Sequence, residues 1–237
     1  MRLGSLRKRA NVGAYTARAL APISNRGWAP FTRAVANTEQ KAFDIAQATY
    51  NISTTGSVTL LAYPITGADY NARIGRKIKL KSLYVRGRVG LEAAFAGAQP
   101  IVAVAQQVRM MIVYDMQPNG VLASVTDILN TADPSSQLNL SNRERFKIVA
   151  ERMWTFDPLI YTTAGGSVGY VAWNNTMRGV KLYQKMGFDM TFNAVNGGSI
   201  ADIASGALLM VWIGSVAAGA NTDTNFIGTT RVRYADY

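Results

Sequence analysis

The side chains with chemistry to offer are few in kind. The chain of 237 residues holds 25 Lys and Arg and 14 Asp and Glu, with neither Cys nor His. Without Cys there is no disulfide, thiolate metal site, iron–sulfur cluster or sulfur nucleophile. Without His there is no imidazole ligand and no Ser-His-Asp triad. Asp115, Asp127, Asp133, Asp157, Asp202, Asp223 and Asp236 are scattered. They lack EF-hand spacing, and nothing couples two of them as the acid and base of a glycosidase. Oxygen ligands between subunits could hold Ca²⁺ without His or Cys, but no motif supports such a site and no cofactor is expected. Gly165 to Gly169 lacks the spacing and the Lys of a phosphate-binding loop and reads as a surface loop. No catalytic residue is proposed; the sequence reads as that of a non-enzyme.

What remains is positive charge, and it is concentrated. The net charge is +11. Residues 1–33 contain Arg2, Arg7, Lys8, Arg9, Arg18, Arg26 and Arg33 and no acid. Residues 73–88 contain Arg73, Arg76, Lys77, Lys79, Lys81, Arg86 and Arg88, again with no acid. These 14 side chains leave 11 basic residues against 14 acids in the rest of the chain, a slightly acidic body. Both basic runs suit a polyanion, through release of counterions from phosphate. The N-terminal run mixes Arg with Gly, Ala, Ser, Asn and Pro without periodicity. It therefore cannot bury enough apolar surface to offset the entropy of ordering. It is expected to be a flexible arm over residues 1–33, with a turn or two of helix over Ala14–Ala21 on a partner. Arg7, Lys8 and Arg9 also form a weak nuclear-import pattern. The candidate nucleic-acid ligands are the seven arm residues together with Arg73, Arg76, Lys77, Lys79 and Lys81.

The element that must position the second run is a strand. Lys77, Lys79 and Lys81 alternate with Ile78 and Leu80, which places the three lysines on one face. After Ser82 the phase slips, so that Leu83, Val85 and Val89 take one parity and Arg86 and Arg88 the other. A slip of one residue reverses the faces unless a bulge absorbs it, which predicts a bulge or bend near Ser82–Leu83. Other two-period or continuously apolar runs predict strands over Phe43–Ile52, Val58–Tyr63, Lys77–Val89, Val108–Asp115, Phe146–Phe156, Val180–Met186, Phe188–Phe192, Ala207–Ile213 and Thr229–Tyr234. In the last of these, Val232 and Tyr234 point inward. Gln117-Pro-Asn-Gly120, Asp157-Pro158, Gly165-Gly166, Asn196-Gly-Gly198 and Ala218-Gly-Ala-Asn221 are turns. Ser124 to Asp127 predicts a capped helix through about Thr131, and Ser141 to Glu144 a single turn.

Residues 203–220 carry no formal charge. Their dense apolar part, Ala207–Ile213, is too short to cross a hydrocarbon core of ~30 Å as a helix and reads as a buried strand; no membrane insertion is expected. Trp154 and Trp212 read as sheet packing, while Trp28 and Trp173 could anchor an interface. With hydrophobic residues at 49% and no βαβ rhythm, the chain is all-β. The expected architecture is an eight-stranded antiparallel jelly-roll sandwich over residues 34–237, with one or two short helices and the basic N-terminal arm ahead of it.

Several segments, in order, carry a resemblance. They are Ile74 to Val89, Val108 to Asp115 with the Pro118-Asn119-Gly120 turn, Val125 to Asn130 followed by Ser141 to Ile148, and Thr230 to Asp236. Together with the basic arm they resemble the single jelly-roll capsid proteins of small icosahedral viruses. The nearest are those of circular Rep-encoding single-stranded DNA viruses and of related plant satellite viruses. The resemblance implies self-assembly into a T=1-like closed shell, about 60 copies in the simplest icosahedral case. It also implies packaging of a single-stranded genome, DNA in preference to RNA, location in the virion, and the host nucleus as a candidate place of assembly. Seven arm charges in each of about 60 subunits supply ~420 positive charges, too few for a genome of about a thousand or more nucleotides. The strand Lys and Arg and mobile counterions must then contribute. The competing reading is a nucleic-acid-binding β-barrel that forms no shell.

Overall fold

The computed structural model describes residues 40–91, 105–156, 161–164, 167–170, 177–219 and 224–236, with backbone alone for 161–164 and 167–170. The arm, with the turn or two of helix expected over Ala14–Ala21, lies outside the described residues, as do Trp28, Trp173 and the Asp157-Pro158 turn.

The strands are β1 (Gln40–Ile52), β2 (Ser57–Leu60), β3 (Lys77–Leu91), β4 (Gln106–Asp115), β5 (Phe146–Phe156), β6 (Tyr161–Ala164), β7 (Ser167–Tyr170), β8 (Met177–Lys185), β9 (Asp189–Phe192), β10 (Ile203–Ser205), β11 (Ala207–Gly214) and β12 (Thr224–Asp236). One sheet runs β1-β12-β3-β9-β10, with β8 also on β3, and the other runs β2-β11-β4-β5. All pairings within these two sheets are antiparallel. The chain passes from one sheet to the other repeatedly, and its last strand returns to lie between β1 and β3. This is a jelly roll. Its eight strand positions are those expected, except that one position on β3 is shared. β8 pairs with Ser82–Gly90 and β9 with Lys77–Lys79.

The core follows from the pattern of side chains. β11 buries all eight of its residues; β2 and β4 flank it in its own sheet, and its Trp212 packs against β12 of the other sheet. Trp212 on β11 is 0% exposed. It stacks on Phe226 of β12, with ring centroids 4.7 Å apart, and on Trp154 of β5, at 5.9 Å. One hydrophobic cluster therefore joins both sheets. Phe226 has room for its ring because Gly87 of β3 lies directly opposite Gly228 of β12. A Cβ at either glycine would collide with the Phe226 ring.

Differences from expectation have local causes. β12 begins at Thr224 rather than Thr229, because Thr224, Asn225 and Phe226 are all buried and show no alternation. The helix, α1 (Val125–Ile128), ends at Ile128 rather than Thr131. Ser124 caps it through a reciprocal capping box with Asp127. Near residue 141 the single turn is a 3-10 turn over Leu140–Asn142, capped by the Asn139 side chain rather than by Ser141. A second 3-10 turn, Ile200–Asp202, follows Ser199 and was not anticipated. Where a surface loop was expected around Gly165–Gly169, β6 and β7 pair as a hairpin with Ala164 opposite Ser167. No helix among the described residues is long and apolar enough to cross a membrane.

Candidate nucleic-acid interface

The bulge in β3 organises the basic face. β12 pairs Arg233 with Ser82 and then Tyr234 with Leu80, skipping Lys81. The phase slip that the sequence places at Ser82–Leu83 is thus absorbed one residue earlier. On both sides of the bulge the apolar residues Ile78, Leu80, Leu83, Val85 and Val89 are fully buried. Lys77, Lys81, Arg86 and Arg88 are exposed and Lys79 half-buried. Both clusters of charge therefore emerge on the side of the sheet away from the core.

Neighbouring strands extend this face. Partners directly opposite in an antiparallel pair point to the same side, so the register builds rows across β12, β3 and β8. One row is Arg231–Tyr84–Tyr183, the next is Arg233–Ser82–Lys185, and on the other side lies Thr229–Arg86–Lys181. Two depressions flank Tyr84. One, of about 300 Å³, is lined by Ser82, Tyr84, Tyr183, Arg231 and Arg233. The other, of about 340 Å³, is lined by residues that include Asp44, Tyr84, Arg86, Thr229 and Arg231.

Two acids border the face and both are paired. Asp44 on β1 accepts two hydrogen bonds from Arg231, at 2.7 and 2.6 Å. These bonds hold its carboxyl below the usual range for Asp, against a smaller upward push from burial. Asp189 on β9 forms an ion pair with Lys77 at 2.8 Å. Among the described residues no ion pair engages Lys79, Lys81, Arg86, Arg233, Lys181 or Lys185. Positive charge on this face exceeds what its acids neutralise.

The candidate residues divide accordingly. Arg2, Arg7, Lys8, Arg9, Arg18, Arg26 and Arg33 lie outside the described residues. Lys77, Lys79 and Lys81 share the face, as expected. Arg76 is exposed beside β9 and donates to the Phe192 carbonyl at 3.3 Å. Arg73 is placed differently. It is buried, and its guanidinium donates to the carbonyls of Pro64, Gly75 and Val195 at 3.2, 2.9 and 2.7 Å. The same group lies over the Phe192 ring, 4.2 Å from its centroid. Burial pushes its pKa down, with nearby Asp236 and Asp202 opposing. Its donors tie the β2–β3 loop to the β9–β10 loop and are taken by carbonyls rather than left for phosphate.

Sequence reasoning did not assemble Arg231, Arg233, Lys181, Lys185, Tyr84 and Tyr183 into the site. Part of the signal was available, because inward Val232 and Tyr234 turn Arg231 and Arg233 outward. Among the described residues no cluster of three or more acidic side chains is placed to hold a metal ion.

The fold is a jelly roll, a class that includes viral capsid domains, and its outer sheet face is cationic. A model of the geminivirus coat protein/nuclear export factor BR1 family matches residues 6–237, and the chain belongs to that family. The capsid protein of Miscanthus streak virus (isolate 91) is 28% identical over 203 residues, covering 80% of this chain and 72% of that protein. The structure is also similar to that of Desmodium yellow mottle tymovirus, with a TM-score of 0.30 and 12% identity over 84% of this chain and 87% of that one. For VP1 of Trichodysplasia spinulosa-associated polyomavirus, the TM-score is 0.24 and identity 9%, over 82% and 91% of the two chains. The protein is a capsid protein of a single-stranded DNA virus and a component of the virion.

Proposed function

We propose that the chain is a non-enzymatic building block that assembles into a closed shell of icosahedral symmetry and packages single-stranded DNA in preference to RNA. The simplest such shell holds about 60 copies. In this reading residues 1–33 are a basic arm and residues 34–237 the jelly-roll domain. Both the arm and the outer face of the β1-β12-β3-β8 sheet face the genome. Arg7, Lys8 and Arg9 serve import into the host nucleus before assembly. No metal or cofactor takes part.

The observation that carries the reading is the basic face itself. Cations from β3, β8 and β12, far apart in sequence, converge on one side of one sheet with their acids already paired. The chain then continues from the sheet's β1 back into the N-terminal basic run. Flexible Arg and Lys contact phosphate rather than base edges, so packaging tolerates sequence.

Size-exclusion chromatography of the expressed chain, read at 260 and 280 nm and followed by negative-stain microscopy, tests this. A megadalton peak rich in 260 nm absorbance that contains closed particles is expected. A salt- and pH-insensitive peak near the 25.7 kDa of one chain would overturn it in favour of a binding module without a shell.

A further inference from the structure

We propose that the groove around Tyr84 and Tyr183 is a base-stacking subsite for single-stranded nucleic acid, distinct from the phosphate contacts around it. The proposal rests on the genome-packaging reading and says which part of the polyanion this face takes.

Three features point to bases. First, Tyr84 and Tyr183 are direct cross-strand partners on the outward face, and Tyr183 is 56% exposed. A solvated basic face has no need of two adjacent phenol rings, whereas an unstacked base does. Second, the aromatic row lies between two cationic rows, with Arg233 and Lys185 on one side and Arg86 and Lys181 on the other. Rows two residues apart along a strand are separated by about 6.6 Å. A single nucleotide can span that distance, its base on a ring and its phosphate on a flanking cation. Third, Arg231 lies directly opposite Tyr84 and is fixed by its two bonds to Asp44. Because Asp44 balances its charge, Arg231 serves as a planar wall beside the ring, while Arg233, Arg86 and the lysines neutralise phosphate.

The occupant follows from charge and shape. A copy of the basic N-terminal run, with seven cations and no acid, would be repelled by this face. A duplex keeps its base faces stacked internally and offers nothing to Tyr84 or Tyr183. Depressions of about 300 and 340 Å³ each have room for a single base. Single-stranded nucleic acid satisfies both constraints.

The test uses the full chain and two labelled strands of equal length, an oligothymidylate and an abasic deoxyribose-phosphate strand, titrated by fluorescence anisotropy over a range of salt. Phosphate contacts, including those of the N-terminal run, are common to both strands and cancel in the ratio of affinities. The expected ratio favours oligothymidylate by about tenfold. Replacing both rings, Tyr84→Leu with Tyr183→Leu, should bring the ratio toward one and leave the salt slope unchanged; Tyr183→Phe should keep it. An unmodified chain that binds both strands equally, or a leucine variant that keeps the ratio, overturns the stacking subsite alone. An unmodified chain that binds neither strand overturns the packaging reading beneath it.

Discussion

Buried charge at the end of the chain locks the loop that leads into β3. The Asp236 carboxylate accepts from the backbone N–H of Ile74 at 2.6 Å and of Gly75 at 3.2 Å, and lies 3.6 Å from the Lys41 ammonium. Both side chains are almost wholly buried, at 4% and 0% exposure. Two residues earlier, the Tyr234 hydroxyl donates to the Ala72 carbonyl at 2.9 Å. Asp236→Ala removes the acceptor for two backbone donors and leaves Lys41 buried without its carboxylate. It should destabilise the protein by about 3–5 kcal/mol, seen as a lower urea midpoint at unchanged slope. Asp44 is the opposite case, half exposed against Arg231. Its folded pKa lies below its ordinary 3.8, chiefly because of the Arg231 hydrogen bonds. Its contribution is therefore present above that value and lost as pH falls through the lower folded pKa. Exposure limits it to less than about 1 kcal/mol. Asp44→Asn should thus cost a small, constant stability at neutral pH, and the difference from the unmodified protein should vanish in acid. A difference that grew on acidification would sink this account.

At the scale of elements, β3 and β12 form the spine, and a glycine pair sets how closely they support the core. Gly87 faces Gly228, and the Phe226 ring occupies the space that both leave. Gly87→Ala forces the ring or the backbone to shift and should cost about 1–3 kcal/mol, measured as a fall in thermal midpoint. Phe226→Leu in the same background should recover little of the loss, because the Ile227 carbonyl oxygen and the Gly228 Cα also crowd the added methyl and are backbone atoms that the substitution does not remove. The same two strands show what could be read from sequence. The alternation of Lys77 to Lys81 and the slip after it were enough to place a bulge, because side-chain parity is local. The apolar run of Ala207–Ile213 was enough to place a buried strand. The first half of β12 was not legible, since burial of Thr224 to Phe226 comes from contacts that leave no alternation in the residues themselves. Nor was the face as a whole. Arg231 and Arg233 join Arg86 and Lys185 only because β12 pairs with β3, and pairing across some 150 residues is a property of topology. Arg73 misled for the converse reason. It lies in a basic run, yet the loops that bury it are supplied by residues as distant as Val195.

At the scale of the whole molecule, the charge is divided between two devices that should be separable. The N-terminal run carries seven cations and can act over a long reach, up to ~110 Å if extended. The sheet face is rigid, and its cations are fixed at strand spacing. The N-terminal run and the fixed array should both release counterions, so each should add to the salt dependence of binding roughly in proportion to the phosphates it neutralises. They differ in what else they do. Deleting residues 1–33 removes none of the residues that form the described hydrophobic cluster between the sheets, so particles should still form while the nucleic acid they contain falls sharply. Neutralising Lys181, Lys185 and Arg233 to Gln removes three exposed cations from side chains that contribute nothing to that cluster. Particles should again form, and the slope of log affinity against log salt for single-stranded DNA should flatten by about 2–3. Combining the two changes should lower the packaged nucleic acid further than either change alone. The readouts are the 260/280 nm absorbance ratio of purified particles and the salt titration. If the deletion leaves packaged nucleic acid unchanged and the triple substitution leaves the slope unchanged, neither device contacts the genome. If only the deletion acts, the face is a solvated surface and the N-terminal run alone engages the genome.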